Sequence, residues 1–457
     1  MSQTELFRVL AALALLLSAS HLIGRLFARF RQPPVIGEII GGLLLGPTLL
    51  GQLWPEAQAW LFPKEGVVAS GLALVYQLGM LLLMFMAGVE MRTVFSRKDG
   101  RTVAVIAAVG MAVPFGLGLL MVKVIDTSDV VGPAGNVTAL TLIIACAVAV
   151  TSIPVISRIM LDIGIIRTRF ARVVLSVAVV EDIVLNVLIS VALGMVAGSK
   201  DNPFGLASLL GVESAHASAA YHSLASVAFF GLMALGGLMF RRRAAAATAA
   251  GADRPLGQVA VRMTVVLAVA GGCIFLGVAP IFGAFVVGLM SGLRGRLPDS
   301  ESLKVMRGFA SGFFVPVYFA VVGLRLDLVH SFAPWFALGF ITVACVAKAA
   351  SVYAGARMTQ WPVPQSVNLA VAMNARGGPG IVLATVSFDA GIVNESMFTT
   401  LVLTAVVTSQ IAGWWLERAV ARGTLERGAE RALPQLRQNG KPDAEPGTAQ
   451  SSRAVAR

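Results

Sequence analysis

Apolar residues form long runs along nearly the whole chain, and short polar or basic stretches separate these runs. A helix needs about 20 apolar residues to cross the hydrocarbon core of a bilayer, so a window of that length predicts thirteen membrane-spanning helices. The predicted spans are 6–27, 33–53, 66–89, 102–124, 137–160, 170–197, 221–240, 257–277, 279–293, 305–325, 331–354, 364–388 and 396–417. The ninth span is short, and its fusion with the eighth would reduce the count to twelve.

Composition supports an all-α, polytopic membrane protein. Hydrophobic residues make up 57% of the 457 positions and charged residues only 13%, whereas soluble domains carry about 25% charged residues. We therefore expect residues 1–418 to form a transmembrane domain. Residues 419–457 are polar and lack apolar periodicity, which predicts a disordered cytoplasmic tail.

Basic residues are concentrated in every second predicted loop. One such loop holds Arg25, Arg29 and Arg31, whereas the alternate loops hold isolated residues such as Lys64 and Lys123. Because basic loops stay on the cytoplasmic side, the pattern predicts the inner cell membrane, an outside N-terminus, thirteen crossings and a cytoplasmic C-terminus. The net charge of +12 is explained by this topology, and no motif or continuous basic patch indicates nucleic-acid binding.

A few charged residues lie in the middle of predicted spans, where charge is rare. They are Glu181 and Asp182 in the sixth span, Lys348 in the eleventh and Arg376 in the twelfth. An ionised side chain at the bilayer centre costs about 2.5–3.5 kcal/mol even on a lenient scale. The summed cost of the four charged side chains is comparable to a typical folding stability of about 5–15 kcal/mol. We therefore expect these groups to pair, to contact water or to change protonation state.

The sequence leaves two interpretations of these charges open. One is a structural salt bridge, with Glu181 and Lys348 as the candidate pair. The other is ion exchange, because two carboxylates and one ammonium leave one negative charge that a proton or a transient Na⁺ or K⁺ at Asp182 can neutralise. Neighbouring helical side chains point about 100° apart, so one acid can face Lys348 while the other lines a cavity. Asn186, one turn after Asp182, is expected to contribute an amide oxygen or to bond within the bundle.

Two predicted spans contain residues that break helices. The fifth contains Thr151, Ser152 and Pro154, and the twelfth contains Gly377, Gly378 and Pro379 directly after Arg376. Such residues free carbonyls and half-helix ends that lipid cannot satisfy but an ion site can, although simple kinks are the alternative. The two spans run in opposite directions, which indicates inverted repeats with a binding site where the broken helices cross. The charge of Arg376 would offset the negative half-helix ends.

Taken together, these motifs resemble the cation:proton antiporters of the bacterial sodium/proton and Kef-like potassium/proton exchanger family. The resemblance extends in colinear order from residue 1 to about 418. It is carried by RQPPVIGEIIGGLLLGPTLLG (31–51), LLLMFMAGVEM (81–91), TSIPV (151–155), VVEDI (179–183), Lys348 and NARGGPGIVLATVSFDAGIV (374–393).

This resemblance implies a dimerisation domain and a mobile core domain in a homodimer. It also implies that Asp182 is the ion and proton carboxylate, Glu181 the neighbouring acid and Lys348 its partner, with Thr151 and Ser152 beside the site. Electrogenic members are similar in having two aspartates, whereas this chain has Glu181 followed by Asp182.

We therefore predict exchange of Na⁺ or K⁺ for protons by alternating access, in a lipid membrane and without a cofactor. An uncoupled channel or a ligand sensor on the same scaffold is an alternative. A proton-coupled exporter of an organic cation would need a wider aromatic site, whereas aromatic residues are only 7% of this chain. An enzyme is disfavoured because no HExxH or GxSxG motif occurs.

Overall fold

The computed structural model describes residues 1–29, 34–91, 99–166, 168–197, 205–212, 255–293 and 301–425, together with parts of 217–232. Within these ranges the chain is helical apart from its loops and one isolated antiparallel bridge between Val131 and Val393. Half of the seventh predicted span and the whole tail beyond residue 425 lie outside the described residues.

Ten helices in the first half of the chain have defined bounds in the described structure. They are α1 (Gln3–Arg29), α2 (Pro34–Leu45), α3 (Leu50–Leu53), α4 (Pro55–Leu61), α5 (Val67–Met91), α6 (Gly100–Met121), α7 (Val137–Ala149), α8 (Ile153–Asp162), α9 (Arg169–Ala197) and α10 (Leu206–Leu209).

The second half supplies eight more described helices. They are α11 (Pro255–Leu276), α12 (Pro280–Leu293), α13 (Glu301–Phe309), α14 (Val315–Leu324), α15 (Pro334–Met358), α16 (Val363–Ala372), α17 (Gly377–Asp389) and α18 (Glu395–Ala421). One π-helical turn, Ala310–Phe314, joins α13 to α14.

The helix lengths confirm the predicted polytopic all-α architecture. Among the described residues, ten helical segments are long and apolar enough to cross a bilayer, and two shorter apolar helices accompany them. The eighth and ninth predicted spans are separate helices, α11 and α12. Gly277, with φ +74°, makes the turn between them, so the fusion that would give twelve spans does not occur.

Both predicted helix breaks are present. The fifth span is divided into α7 and α8 by the nonhelical residues 150–152, and Pro154 is the second residue of α8. The twelfth span is divided into α16 and α17 around residues 373–376. Each break leaves the carboxyl end of one short helix and the amino end of the next inside the bundle, without intrahelical partners.

The described helices pack as two groups. In the first, which we call the outer group, α1, α2, α5, α11, α12 and α14 contact one another. In the second, the inner group, α6, α7, α8, α9, α15, α16, α17 and α18 do so, and both broken spans belong to it. This segregation gives two bodies that meet along a limited interface.

Glycines set the two closest crossings in the outer group. A Cβ atom at Gly42 of α2 would collide with the carbonyl oxygen of Ala320 in α14, and one at Gly88 of α5 would collide with that of Phe285 in α12. The α2–α14 and α5–α12 pairs therefore approach backbone to backbone. Small residues permit such contact between membrane helices, where apolar burial provides little driving force.

Gly42→Ala should therefore lower stability by about 1–3 kcal/mol, because the added methyl group has no room beside the Ala320 carbonyl. Gly116→Ala in α6 is the matched control. No atom lies within 4 Å of a Cβ there, and alanine favours a helix over glycine by about 0.5–1 kcal/mol. Thermal unfolding in detergent should show a lower midpoint for the first variant only. Equal midpoints would contradict this account of the crossing.

Candidate functional site

The two broken spans meet at their nonhelical segments. The backbone N–H of Ser152 donates to the carbonyl oxygen of Ala375 at 2.6 Å, which links the two breaks directly. Gly377 opens α17 with φ +35°, and a Cβ atom at this position would collide with Val155 of α8. Only glycine combines that backbone conformation with such close approach, so Gly377 is needed for the crossing itself.

Hydroxyl groups of α18 satisfy the free amino end of α17. Ser409 accepts a hydrogen bond from the N–H of Gly377 at 3.0 Å, and Thr408 accepts one from the N–H of Arg376 at 3.4 Å. Both hydroxyls are buried. They do for this half-helix what an N-cap residue does for an ordinary helix, although they come from a different span.

Arg376 binds the carboxyl end of α7. Its guanidinium donates to the carbonyl oxygens of Ala147 at 3.1 Å, Val148 at 3.0 Å and Ala344 at 2.9 Å, and the residue is only 2% exposed. The carboxyl end of a helix carries a partial negative charge. The guanidinium therefore lies against the carbonyls of Ala147 and Val148 at the end of α7 and against that of Ala344 in α15.

Lys348 forms a buried ion pair with Glu181. Its Nζ lies 2.8 Å from Glu181 Oε2, 2.6 Å from the carbonyl oxygen of Ala149 and 3.0 Å from that of Gly110. Both charged side chains are 0% exposed. The ammonium has three donors, and three oxygens accept them, so the geometry holds Lys348 in one position.

Thr151 lies on the other side of the Glu181 carboxylate. Its hydroxyl oxygen is 2.9 Å from Glu181 Oε2 and 2.8 Å from the carbonyl oxygen of Met373. One hydroxyl proton can be donated to only one of these acceptors at a time. Thr151 thus connects the acid to the second break.

Asp182 has different surroundings. It is 5% exposed and lines a cavity of about 20 Å³ between the two helix groups. Asn186 and Val150 share this cavity, and its apolar wall includes Met84 and Phe285 of the outer group. Within the described part of the chain, no basic side chain lies within ion-pairing distance of Asp182. A polar cavity needs about 10–15 Å³ to hold one water molecule, so the space has room for about one water molecule or one dehydrated monovalent cation.

The two adjacent acids therefore have different environments. Glu181 is locked by Lys348 and Thr151, whereas Asp182 and Asn186 face open space. Pro379 also lines that space, Gly378 lies beside it in the first turn of α17, and Ser152 links the breaks through its backbone. The sequence did not identify the Gly110 and Ala149 carbonyls or the Ser409 hydroxyl as contacts of the site. For Ser409 a signal existed, because hydroxyl residues recur along the apolar sequence of α18, and the structure shows them buried.

Comparison with known proteins assigns the chain to a family. A family model described as "Sodium/hydrogen exchanger, transmembrane" matches residues 13–422. The Na⁺/H⁺ antiporter NhaS4 of Synechocystis sp. is 28% identical over 417 residues, which are 90% of this chain and 97% of that protein. The K⁺/H⁺ antiporter 1 of Saccharomyces cerevisiae is 30% identical over 89% of this chain, which spans about half (46%) of that protein's length.

A solved structure has the same fold. The sodium proton antiporter MjNhaP1 from Methanocaldococcus jannaschii superposes with a TM-score of 0.61 at 15% identity, over 91% of this chain and 98% of that one. The chain belongs to the sodium/hydrogen exchanger family of multi-pass membrane proteins. It is a secondary transporter rather than an enzyme, as its sequence predicted.

Proposed function

We propose that the chain exchanges a monovalent cation, Na⁺ or K⁺, for protons, and that Asp182 binds the two substrates in turn. The observation that carries this proposal is the different surroundings of the two acids. Glu181 is neutralised by Lys348, whereas Asp182 lines the cavity without such a partner among the described residues. One negative site that accepts either a proton or a metal ion makes their binding competitive, and competition at one site is the basis of exchange.

The cavity supplies oxygens that suit a monovalent cation. The Asp182 carboxylate provides the charge, and the Asn186 amide and the backbone around Val150 provide neutral oxygens. Thr151 and Ser152 hold this break in place through Glu181 and Ala375. A cation entering so small a space exchanges much of its water for these ligands.

Alternating access follows from the two helix groups. The inner group contains Asp182 and both broken helices, and the outer group forms the opposite cavity wall with Met84 and Phe285. A displacement of the inner group along this wall exposes the carboxylate first to one side and then to the other. We assign the outer group to a homodimer interface in the cell membrane, with the N-terminus outside and the C-terminus cytoplasmic.

Proton flux that depends on the added cation tests this function. In everted vesicles loaded with a pH-sensitive dye and acidified inside, addition of Na⁺ or K⁺ should cause immediate alkalinisation. The same amount of choline should have no effect, because an organic cation does not fit a cavity of about 20 Å³. A response to choline equal to that of the metal ions would overturn the proposed substrate class.

Clamping the membrane potential separates exchange from a channel. With valinomycin and equal K⁺ on both sides, the membrane potential is held at zero. An exchanger that carries Na⁺ still moves protons in the direction opposite to the Na⁺ flow, since the two fluxes are coupled. A channel moves Na⁺ without any opposite movement of protons. Sodium uptake without proton efflux in reconstituted vesicles would reject the exchange mechanism.

A further inference from the structure

A second charged cluster joins the outer and inner groups at the far end of α17. Asp389, the last residue of α17, accepts a hydrogen bond from Arg325 at 2.6 Å and one from the Tyr76 hydroxyl at 3.2 Å. Arg325 follows α14 and Tyr76 belongs to α5, so these two contacts of Asp389 reach the outer group. The guanidinium also lies over the Tyr76 ring, 4.5 Å from its centroid.

Two stacked tyrosines fill the space beneath this ion pair. The rings of Tyr76 and Tyr318 are 5.3 Å apart at their centroids and both residues are 0% exposed. The Tyr318 hydroxyl donates to Thr385 of α17 at 3.4 Å. Val386, the next residue, lines the Asp182 cavity. The tyrosine pair therefore contacts α17 at Thr385 and Asp389, on either side of the cavity-lining Val386 along the chain.

We propose that Arg325, Asp389, Tyr76 and Tyr318 form a latch that closes the route from the extracellular side to the cation site. The assignment to the extracellular side rests on the proposed function and topology, in which α14 and α17 end outside the cell. Since the latch crosses from one helix group to the other, it must separate whenever Asp182 opens outward. When the latch is closed, Asp182 is shielded from the extracellular side.

The strength of the contacts suits a latch that opens repeatedly. The Arg325 and Asp389 side chains retain 30% and 29% of their exposure, so solvent weakens this pair relative to the fully buried Glu181–Lys348 pair. The short charge-assisted bond nevertheless favours the closed arrangement. The Tyr76–Tyr318 stack links α5 to α14 within the outer group, and Gly79 packs against Phe314 and Tyr318. Opening therefore breaks contacts to α17 rather than contacts within the outer group.

Accessibility of a single cysteine tests the latch independently of transport. Val386→Cys is introduced after Cys146, Cys273 and Cys345 have been replaced by alanine. A membrane-impermeant maleimide is then added to intact cells, where it reaches only the extracellular side. Asp389→Asn and Arg325→Gln should each increase the labelling rate by about fivefold or more, the effect of about 1 kcal/mol on a closed–open equilibrium. Tyr76→Phe, which keeps the ring stack and loses only the hydroxyl bond to Asp389, should increase it by about twofold.

The charge exchange Arg325→Asp with Asp389→Arg provides the sharpest comparison. A latch held by charge should return the labelling rate toward that of the parent, whereas a purely structural role would leave it as high as in the single variants. Asp327→Asn is the control, because its pair with His330, at 3.0 Å, lies within one loop at the same end of α14. It should leave the rate unchanged. The latch is overturned if Asp389→Asn and Tyr76→Phe both label at the parental rate. Because labelling requires no exchange, this outcome is distinct from a failure of the proposed transport.

Discussion

Asp182→Asn is expected to abolish coupled exchange while leaving the fold intact. The amide has the size of the carboxylate but can neither release a proton near neutral pH nor neutralise a metal ion. The bound metal ion and the Asp182 carboxylate form a buried ion pair. Removing one partner of such a pair costs about 3–5 kcal/mol, so the affinity for the metal ion should fall by at least about 100-fold. Stability should be unchanged or higher, because no basic partner in the described structure loses its counter-charge and a buried charge is removed.

The measurement is cation-induced alkalinisation in everted vesicles together with the thermal midpoint of the purified protein. Asp129→Asn is the matched control, since it makes the same chemical change at an exposed position between α6 and α7. It should keep both properties of the parent chain. Normal exchange by Asp182→Asn would remove Asp182 from its proposed role. Loss of exchange with a much lower midpoint would instead assign Asp182 a structural role.

The sequence was most informative where it violated the rules for a membrane helix. Glu181, Asp182 and Lys348 stood out because ionised groups are costly at membrane depth, and Pro154 and Gly377 stood out because helices seldom contain such residues without a reason. The different orientations of the two acids followed from helical geometry alone. These features sufficed to predict the crossing and the residues around it.

Other parts of the molecule carried no such signal. The Gly110 and Ala149 carbonyls bind Lys348 through the backbone, which every residue possesses. Arg325 and Asp389 lie near span ends, where charged residues are ordinary, so only the fold brings them together across 64 positions. Gly42 is one of 47 glycines, and its contact with Ala320 depends on how α2 and α14 cross. Long-range placement therefore required the structure.

Lys348→Met should destabilise the protein strongly. The substitution leaves Glu181 as a fully buried carboxylate without its counter-charge and removes the donor to Ala149 and Gly110. Breaking a buried ion pair in this way costs about 3–5 kcal/mol, which should lower the thermal midpoint of a chain of 457 residues by about 3–5 °C. Lys64→Met, at an exposed loop position, should change stability by no more than about 0.5 kcal/mol.

Glu181→Gln combined with Lys348→Met distinguishes the charge of the pair from its other contacts. If the ion pair mainly cancels two opposite charges, the double variant should recover most of the stability, with a coupling energy of about 2–3 kcal/mol. It should also retain cation-dependent proton flux, because Asp182 and its cavity are unchanged. A double variant as unstable as Lys348→Met would mean that Lys348 acts through the Ala149 and Gly110 carbonyls. A stable double variant without exchange would mean that Glu181 takes part in proton transfer.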